Sequence, residues 1–401
     1  MTHGRGWLAA IQFEPRVPID RRLLEGQVLR MKIAHVVDSM EVGGAETLVM
    51  QMCRLQREQG HDPCVYAVAA LGPLGEQLLK EGFRVHANLG RHLQDSVRAL
   101  YRIFKESRPD VVHLHNSTPT TYGAAAARMA GVRSIVSTRH NLAAAPHRLV
   151  AEIKYAVALT CCDWVVGICD ATVANLNKMH IAPTRKIVRV YNGAVPMRRA
   201  APEECPPRSG FTLVYVGRLA PVKNHELLLT AFHAALQSMP ELRLWMVGDG
   251  SERQKLEQMA GSLGISSQVA FWGQQLDVAP FFSAADAFIM SSRSEGLPMS
   301  LLQAFSLGVP AIVTDVGGMA EAVRLAGAGF TMSAADSGEM AKAILSMAEN
   351  GKEREQFARN GLHAFHTHFT LEAMVDAYFE LYRNTPRARR AAALQGHMPA
   401  R

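Results

Sequence analysis

Residues 292–304 read SRSEGLPMSLLQA: small residues and one carboxylate lead through a Gly-Leu-Pro corner into an apolar helix. Glu295 stands in the turn before this helix, and Gln303 follows eight residues later. The first backbone N–H groups of a helix have no partner within it, so such a turn can hold a phosphate or a sugar hydroxyl. The stretch therefore predicts a strand-to-helix loop that binds a ligand.

The same alternation of short apolar runs and helical stretches continues along the whole chain. Strand-like runs lie at 33–37, 63–69, 84–88, 111–115, 134–138, 164–168 and 187–190, and again at 211–216, 243–247, 269–272, 287–290, 311–314 and 329–331. Helical stretches in the first half lie at 45–59, 74–81, 93–107 and 121–130. Continuously apolar strands are typical of parallel sheets covered by helices on both faces. The pattern predicts an α/β architecture of two doubly wound units in series.

Composition suggests where these units begin and end. We expect a disordered extension over 1–30, a first unit over 31–195, a proline-rich linker over 196–210 and a second unit over 211–370. A last helix at 371–385 and a basic tail at 386–401 follow. No apolar run reaches the roughly 18 residues of a membrane span, and residues 1–30 lack the apolar segment of a signal peptide. The six cysteines have no metal-binding spacing, so we expect free thiols in a reducing cytoplasm.

The net charge of +7 is divided unevenly. Residues 31–195 carry 19 Lys/Arg and 13 Asp/Glu, whereas residues 196–385 carry 15 and 20. A basic half fits a surface that meets anionic lipid or an anionic acceptor, although ordinary variation between solvated faces explains it equally well. No basic run is interleaved with aromatic residues, so we expect no nucleic-acid partner.

Ligands of open α/β sheets bind at the carboxyl ends of the strands, so the loops that follow them are candidate sites. In the first unit Gly43 and Gly44 precede a helix and allow a phosphate or sugar to approach, but a plain turn is an equal alternative. His113 and His115 share one strand face, and His140 ends a later strand. No carboxylate lies near them at ligand spacing, so we favour hydrogen bonding by His140 in the cleft and packing of His113 over a metal site.

In the second unit Gly217, Arg218 and Lys223 follow a central strand. The guanidinium fork and the ammonium point charge can converge on a diphosphate, and a solvated surface pair is the alternative. The loops at 247–252 and 271–274, the latter with Gly273, could frame a nucleoside or be simple turns.

Four motifs in this order, G-R-L-x-x-x-K at 217–223, V-G-D-G at 247–250, F-x-G at 271–273 and S-E-G-L-P at 294–298, resemble the family-4 retaining glycosyltransferases. The resemblance covers about residues 32–382. It implies the GT-B fold, in which two Rossmann-like domains face each other and a C-terminal helix crosses back to the N-terminal domain. It also implies a nucleotide-sugar donor on the C-terminal domain, an acceptor against the N-terminal one, and neither a metal nor another cofactor.

The resemblance assigns roles residue by residue. Arg218 and Lys223 would bind the donor diphosphate, and Glu295 would be the first glutamate of an E-x7-E motif near the donor sugar. Gly296 and Leu297 would offer backbone amides to sugar hydroxyls. In the N-terminal domain the Gly43-Gly44 loop would face the diphosphate, and His140 would touch the donor sugar.

The chain departs from the family pattern at Gln303, which stands where the second glutamate is expected. In relatives that carboxylate accepts hydrogen bonds from the ribose, and a neutral amide forms weaker bonds. We expect donor binding weaker by about 1 kcal/mol rather than lost chemistry.

The resulting expectation is a retaining, metal-independent hexosyltransferase (EC 2.4) that uses a UDP- or GDP-sugar. Its acceptor would be a glycan or lipid-linked glycan of the cell surface, and its location the cytoplasm, peripherally at the inner face of the membrane. The alternatives are a non-catalytic partner subunit that binds nucleotide sugars, and a GT-B nucleotide-sugar epimerase or sugar-phosphate synthase.

Overall fold

The computed structural model describes residues 30–90, 93–141, 149–179 and 181–385. The predicted N-terminal extension, apart from Arg30, and the predicted basic tail lie outside these residues. Within the described ranges no helix is both long enough and apolar enough to cross a membrane.

A seven-stranded sheet forms the first half, with strand order β3-β2-β1-β4-β5-β6-β7 and all pairs parallel. Its strands are β1 (Lys32–Val37), β2 (Asp62–Ala67), β3 (Arg84–His86), β4 (Val111–His115), β5 (Ser134–Arg139), β6 (Trp164–Gly167) and β7 (Ile187–Arg189). The helices between them are α1 (Gly44–Glu58), α2 (Gly72–Lys80), α3 (Leu93–Ser107), α4 (Ser117–Ala130), α5 (Leu149–Leu159) and α6 (Asp170–Lys178).

A six-stranded parallel sheet forms the second half, in the order β10-β9-β8-β11-β12-β13. Its strands are β8 (Thr212–Val216), β9 (Arg243–Val247), β10 (Val269–Gly273), β11 (Ala287–Met290), β12 (Ala311–Thr314) and β13 (Gly329–Met332). The helices are α7 (His225–Leu236), α8 (Arg253–Ser262), α9 (Ala279–Ala284), α10 (Met299–Ser306), α11 (Gly317–Ala326), α12 (Ser337–Glu349), α13 (Gly351–His368) and α14 (Leu371–Arg383).

Both sheets reverse their strand order beside their first strand. β2 and β4 flank β1, and β9 and β11 flank β8. At such a switch point successive crossovers run to opposite edges and leave a crevice at the carboxyl ends of the strands. The prediction of two doubly wound units is confirmed, and the switch points lie where the glycine-rich and acidic loops emerge.

The last helix, α14, packs on the first sheet although it follows the second one in the chain. Its buried residues recur every three or four positions: Leu371, Met374, Val375, Tyr378, Phe379 and Tyr382. Two of them also make polar contacts, since the Tyr382 hydroxyl lies 2.8 Å from His113 Nδ1 and the Tyr378 hydroxyl 2.9 Å from Thr138 Oγ1. The predicted crossing back to the N-terminal domain is confirmed.

The cysteines contribute to the cores as free thiols. All six cysteines are free thiols. Burial raises the thiol pKa of Cys53 and of Cys162, so both stay protonated and pack as small hydrophobic residues.

Candidate active site

The C-terminal switch point brings two loops together because β8 and β11 are neighbours, with Leu213 opposite Ala287. Gly217 and Arg218 follow β8, and the turn at 291–298 follows β11. The carboxyl ends of paired parallel strands lie at one edge of the sheet, so the two loops form adjacent walls of one crevice.

Close backbone packing explains three glycines in these loops. Gly217 and Gly248 have φ values of +156° and +136°, a region that side chains other than glycine rarely adopt. A Cβ atom at Gly248 would overlap the Gly217 carbonyl group. The Gly217 N–H donates to Val247 O at 3.0 Å, and the Gly248 N–H donates to Gly273 O at 2.8 Å. The loops after β8, β9 and β10 therefore form one rigid wall, which includes the predicted positions Gly217 and Gly273.

Glu295 and Lys223 form an ion pair at the centre of this crevice. Lys223 Nζ lies 2.5 Å from Glu295 Oε1, and the two side chains are only 16% and 13% exposed. The Ser292 hydroxyl donates to the same carboxylate oxygen at 2.8 Å. The structure thus joins two residues that the sequence predicted separately and that lie 72 positions apart.

Hydrogen bonds to the backbone hold the acidic turn against the loop that carries Lys223. The Ser291 hydroxyl lies 3.0 Å from the carbonyl oxygens of both Lys223 and Asn224, and the Arg293 N–H donates to Val222 O at 2.9 Å. The ion pair is therefore positioned by the backbone rather than only by its own attraction.

Arg218 differs from Lys223 in that its side chain is exposed. Its guanidinium donates no hydrogen bond to the described part of the chain, although its charge favours the ionised form of Glu46. Arginine presents several N–H groups in a fork that matches phosphate oxygens. The guanidinium is thus available at the crevice.

The N-terminal domain closes the other side of the site. A Cβ atom at Gly296 would lie 2.5 Å from the His140 carbonyl oxygen, and one at Gly44 would lie 3.8 Å from Met299 Cγ. Asn192 Nδ2 donates to Leu297 O at 3.1 Å. The predicted residues Gly44, His140, Gly296 and Leu297 are therefore brought together across the two domains, and Gly43 lies next to Gly44 at the start of α1.

Glu46 is a site residue that the sequence interpretation missed. It lies in the first turn of α1, directly behind the glycine loop. The pKa of its carboxyl group is raised, mainly by burial and also by the negative charge of Asp38. A hydrogen bond from a backbone N–H and the positive charge of Arg218 act in the opposite direction. Its position in the sequence, two residues after Gly44, was the available signal.

Four buried histidines lie in or directly after strands of the first sheet: His35 in β1, His113 and His115 in β4, and His140 after β5. His35 is opposite His113 in the β1–β4 register, and the ring centroids of His113 and His115 are 4.1 Å apart. His113 is packed as predicted, with its ring nitrogens 2.8 Å from Tyr382 Oη and 2.7 Å from Thr138 Oγ1. His35 was not predicted, because its strand reads as an ordinary apolar run.

The positions of three of these histidines would allow them to hold a metal ion. One ring nitrogen each of His35, His113 and His115 lies within 4.8 Å of the others. All six ring nitrogens of the three residues, however, already have hydrogen-bond partners among side chains. The hydrogen-bond network accounts for the cluster without an ion.

Gln303 lies on α10, half-buried. Its backbone carbonyl accepts a hydrogen bond from the Ser306 hydroxyl at 2.8 Å, and its side-chain amide makes no hydrogen bond to the described residues. The amide is therefore available to a ligand, and the prediction of weaker donor binding stays a prediction.

Comparison with known families agrees with this architecture. The family model described as Glycosyltransferase Family 4 matches residues 42–198, and that described as Glycosyl transferases group 1 matches residues 202–363. The two matches cover most of both sheets and the loops that build the crevice. The chain belongs to the family-4 glycosyltransferases.

Individual relatives are moderately similar. The lipopolysaccharide core biosynthesis glycosyltransferase LpsE of Rhizobium meliloti is 31% identical over 180 residues, which is 45% of this chain and 52% of LpsE. The match to LpsD of the same organism likewise spans 50% of that protein, so the chain aligns with about half the length of these two relatives. A UDP-Gal:alpha-D-GlcNAc-diphosphoundecaprenol alpha-1,3-galactosyltransferase of Escherichia coli is 25% identical over 378 residues, covering 88% of this chain and 97% of that enzyme.

Solved structures show the same fold. Anabaena Alr3699/HepE in complex with UDP has a TM-score of 0.77 at 20% identity and covers 87% of this chain and 99% of its own. This likeness and the two facing Rossmann-like domains confirm the predicted GT-B fold.

Proposed function

We propose that this protein is a retaining glycosyltransferase that moves a sugar from a nucleotide-diphosphate sugar to a glycan or lipid-linked acceptor. The observation that carries the proposal is the Lys223–Glu295 ion pair at the C-terminal switch point, with the exposed Arg218 beside it. The Gly43-Gly44 loop and His140 face this pair from the other domain. Cations for a diphosphate and a carboxylate for a sugar thus share one crevice.

Cleavage of the anomeric C–O bond places positive charge on the sugar and negative charge on the leaving nucleotide. Arg218 and Lys223 stabilise the departing diphosphate, and preorganised charges of this kind supply much of the catalytic effect. The helix N-termini at α1 and α11 add partial positive charge to the same crevice. Glu295 contacts the donor sugar and holds the Lys223 ammonium in place before the donor arrives.

The anomeric configuration of the sugar is retained if the acceptor oxygen attacks from the same face from which the diphosphate leaves. The two side-chain cations replace the charge that a metal ion would supply, so we propose a metal-independent reaction. A chelator should therefore leave the rate unchanged.

Relatives suggest the donor and acceptor classes to test first. The Escherichia coli relative is named for a UDP-galactose donor and a diphosphoundecaprenol-linked acceptor, and LpsE and LpsD for lipopolysaccharide core biosynthesis. We propose a UDP-sugar before a GDP-sugar as donor, and a lipid-linked or lipopolysaccharide glycan as acceptor in cell-surface polysaccharide biosynthesis.

An apolar stripe on α5 supports contact with an anionic membrane. Val150, Ile153 and Val157 lie on one helix face and are 66%, 55% and 65% exposed, with the exposed Lys154 beside them. Apolar side chains flanked by a cation are typical of helices that lie in the headgroup region. Co-sedimentation with phosphatidylglycerol vesicles should fall when all three become Ser. Equal sedimentation of the wild type with phosphatidylcholine vesicles would refute the anionic preference.

The direct test is calorimetric titration with UDP, GDP and their sugars, followed by NMR of the products. Binding, slow donor hydrolysis and an α-configured product from an α-linked donor are expected. Glu295→Gln should abolish turnover, whereas the exposed control Glu349→Gln should not. Absence of binding to every nucleotide sugar would refute the proposal.

The half-buried Gln303 favours one alternative, a subunit that binds nucleotide sugars without catalysis. That alternative predicts binding with neither hydrolysis nor transfer. A soluble sugar product formed from the donor alone would instead indicate an epimerase or a synthase.

A further inference from the structure

A continuous chain of buried side chains connects helix α1 to the candidate donor site. Gln56 Oε1 lies 2.8 Å from His35 Nε2, His35 Nδ1 lies 3.1 Å from His115 Nε2, and His115 Nδ1 lies 3.1 Å from His140 Nε2. All four residues are buried. Only His140 was assigned a role above, so the other three have a buried polar arrangement that the proposed reaction does not use.

We propose that Gln56 is a positioning residue that fixes, through His35 and His115, which tautomer His140 presents to the donor sugar. The proposal rests on the proposed function, in which His140 contacts that sugar. We name the Gln56–His35–His115–His140 chain the histidine relay.

The tautomers follow from counting donors and acceptors. A neutral imidazole has one N–H donor and one acceptor nitrogen, and an amide oxygen only accepts. His35 Nε2 must therefore donate to Gln56, which leaves His35 Nδ1 as an acceptor. His115 Nε2 then donates to His35, and His140 Nε2 donates to His115. Every ring of the relay is the Nε2–H tautomer, and His140 Nδ1 carries a lone pair.

Burial keeps the relay neutral at physiological pH. Desolvation lowers the pKa of His35 and of His140 to about 4 and that of His115 well below its ordinary value. A proton added to Nδ1 of His35 or of His115 would place two donors face to face in one of the links. The relay therefore has a defined direction whenever the protein is folded near pH 7.

The end of the relay is free to meet a ligand. Among the described residues His140 Nδ1 is buried and has no hydrogen-bond partner, and the His140 carbonyl lies where Gly296 of the acidic turn makes its closest approach. A buried polar atom without a partner is costly, so a ligand that supplies a donor gains that energy on binding. The chemistry that fits a lone pair is a sugar hydroxyl that donates its hydrogen. A sugar lacking that hydroxyl, or carrying fluorine there, would leave the nitrogen unpaired.

Gln56 controls the direction because its amide can face His35 with either end. The structure places the oxygen toward His35 and the Nε2 group away from it. If the amide nitrogen faced His35 instead, every link would reverse and His140 Nδ1 would become a donor. His113 does not take part, since its two nitrogens bond to Tyr382 and Thr138.

The test combines side-chain NMR with kinetics on the full chain. In protein labelled with ¹⁵N-histidine, long-range ¹H–¹⁵N spectra should show pyrrole-type Nε2 and pyridine-type Nδ1 for all three relay histidines. Gln56→Met removes the acceptor at similar size, so the His140 signals should shift toward a mixture of tautomers. The control Gln51→Met replaces another amide of the same helix, whose oxygen has no hydrogen-bond partner among the described residues, and should not change them.

The kinetic readout is the donor KM. Loss of one hydrogen bond predicts a roughly threefold to tenfold higher KM for Gln56→Met, with kcat close to that of the wild type. Among UDP-sugars that each lack one sugar hydroxyl, the one without the hydroxyl that His140 contacts should bind equally well to the wild type and to Gln56→Met. Nδ1–H signals in wild-type His35 or His140, or a stoichiometric metal ion bound by the relay, would overturn the proposal. Because the spectra need no donor, failure of the relay is distinguishable from failure to bind any nucleotide sugar.

Discussion

Replacing Lys223 by Met should separate the stability of the candidate site from its affinity for nucleotide. The substitution removes the ammonium 2.5 Å from Glu295 and leaves a carboxylate that is 13% exposed, whose remaining side-chain partner among the described residues is the Ser292 hydroxyl. Breaking a fully buried ion pair costs about 3–5 kcal/mol, and exposed pairs contribute about 0–1 kcal/mol. This pair is mostly but not fully buried, so we expect Lys223→Met to lower the free energy of unfolding by about 2 kcal/mol.

The loss of stability should depend on the negative charge of Glu295. In a double-mutant cycle, Glu295→Gln removes the charge but keeps an acceptor for Ser292, so the double variant should recover most of the stability lost in Lys223→Met. Thermal unfolding measures this directly, since about 1 kcal/mol shifts the Tm of a domain of 150–250 residues by about 2–4 °C. The exposed control Lys352→Met should leave the Tm unchanged.

Affinity for UDP should not recover with stability. A hydrogen bond to a charged group contributes about 1.5–3 kcal/mol, so Lys223→Met should weaken UDP binding by about tenfold to a hundredfold in calorimetric titration, alone or in the double variant. Glu295→Gln alone should leave UDP affinity unchanged or tighter, because it releases Lys223. Strictly additive losses of stability in the cycle, or normal UDP binding by Lys223→Met, would refute the reasoning.

Three further predictions follow from single positions. Gln303→Glu should tighten donor binding by about 1 kcal/mol in the same titration, and an unchanged or weaker affinity would contradict the role given to this position. Gly296→Ala should lower the Tm and weaken donor binding, because its Cβ atom would lie 2.5 Å from the His140 carbonyl oxygen. The control Gly261→Ala should do neither, because its Cβ atom would make an ordinary contact at 3.9 Å with Ser266 Oγ. His35 and His140, each with a folded pKa of about 4 against 6.5 unfolded, bind protons mainly in the unfolded state between these values. The contribution of these two histidines to the free energy of unfolding should therefore be complete above about pH 6.5. On acidification it should fall by up to about 1.4 kcal/mol per pH unit for each histidine. A Tm that is flat from about pH 6.5 to 5 would show that these rings are not held neutral.

Most of the fold could be predicted from the sequence because buried parallel strands appear as continuous apolar runs. The errors lie at element ends. The second run was predicted to reach residue 69 but β2 ends at Ala67, although the Val68 and Ala69 N–H groups still donate to the carbonyl oxygens of Val37 and Asp38 at the end of β1. Helix α4 begins at Ser117 rather than at the predicted 121, since Pro119 in its first turn resembles a loop residue.

The candidate site could be predicted only where short motifs carry it. Gly217, Arg218 and Glu295 stand at strand ends that the apolar runs locate, so their loops were found. The partner of Lys223 was not found, because an ion pair between loops 72 residues apart depends on which strands are neighbours. Glu46 was not found either, because its proximity to Arg218 arises only when the two domains face each other.

The histidine relay shows why a polar residue inside an apolar run is informative once the strand order is known. His35 sits in the middle of β1, where a single histidine among apolar neighbours has no pattern of its own. The doubly wound order places β1 beside β4, and the parallel register then puts His35 opposite His113 and near His115. Because both histidine-bearing strands lie at the switch point, their polar side chains lead toward the carboxyl edge where His140 follows β5. A buried polar residue in a strand that flanks a switch point is therefore a candidate member of the site even when no motif contains it.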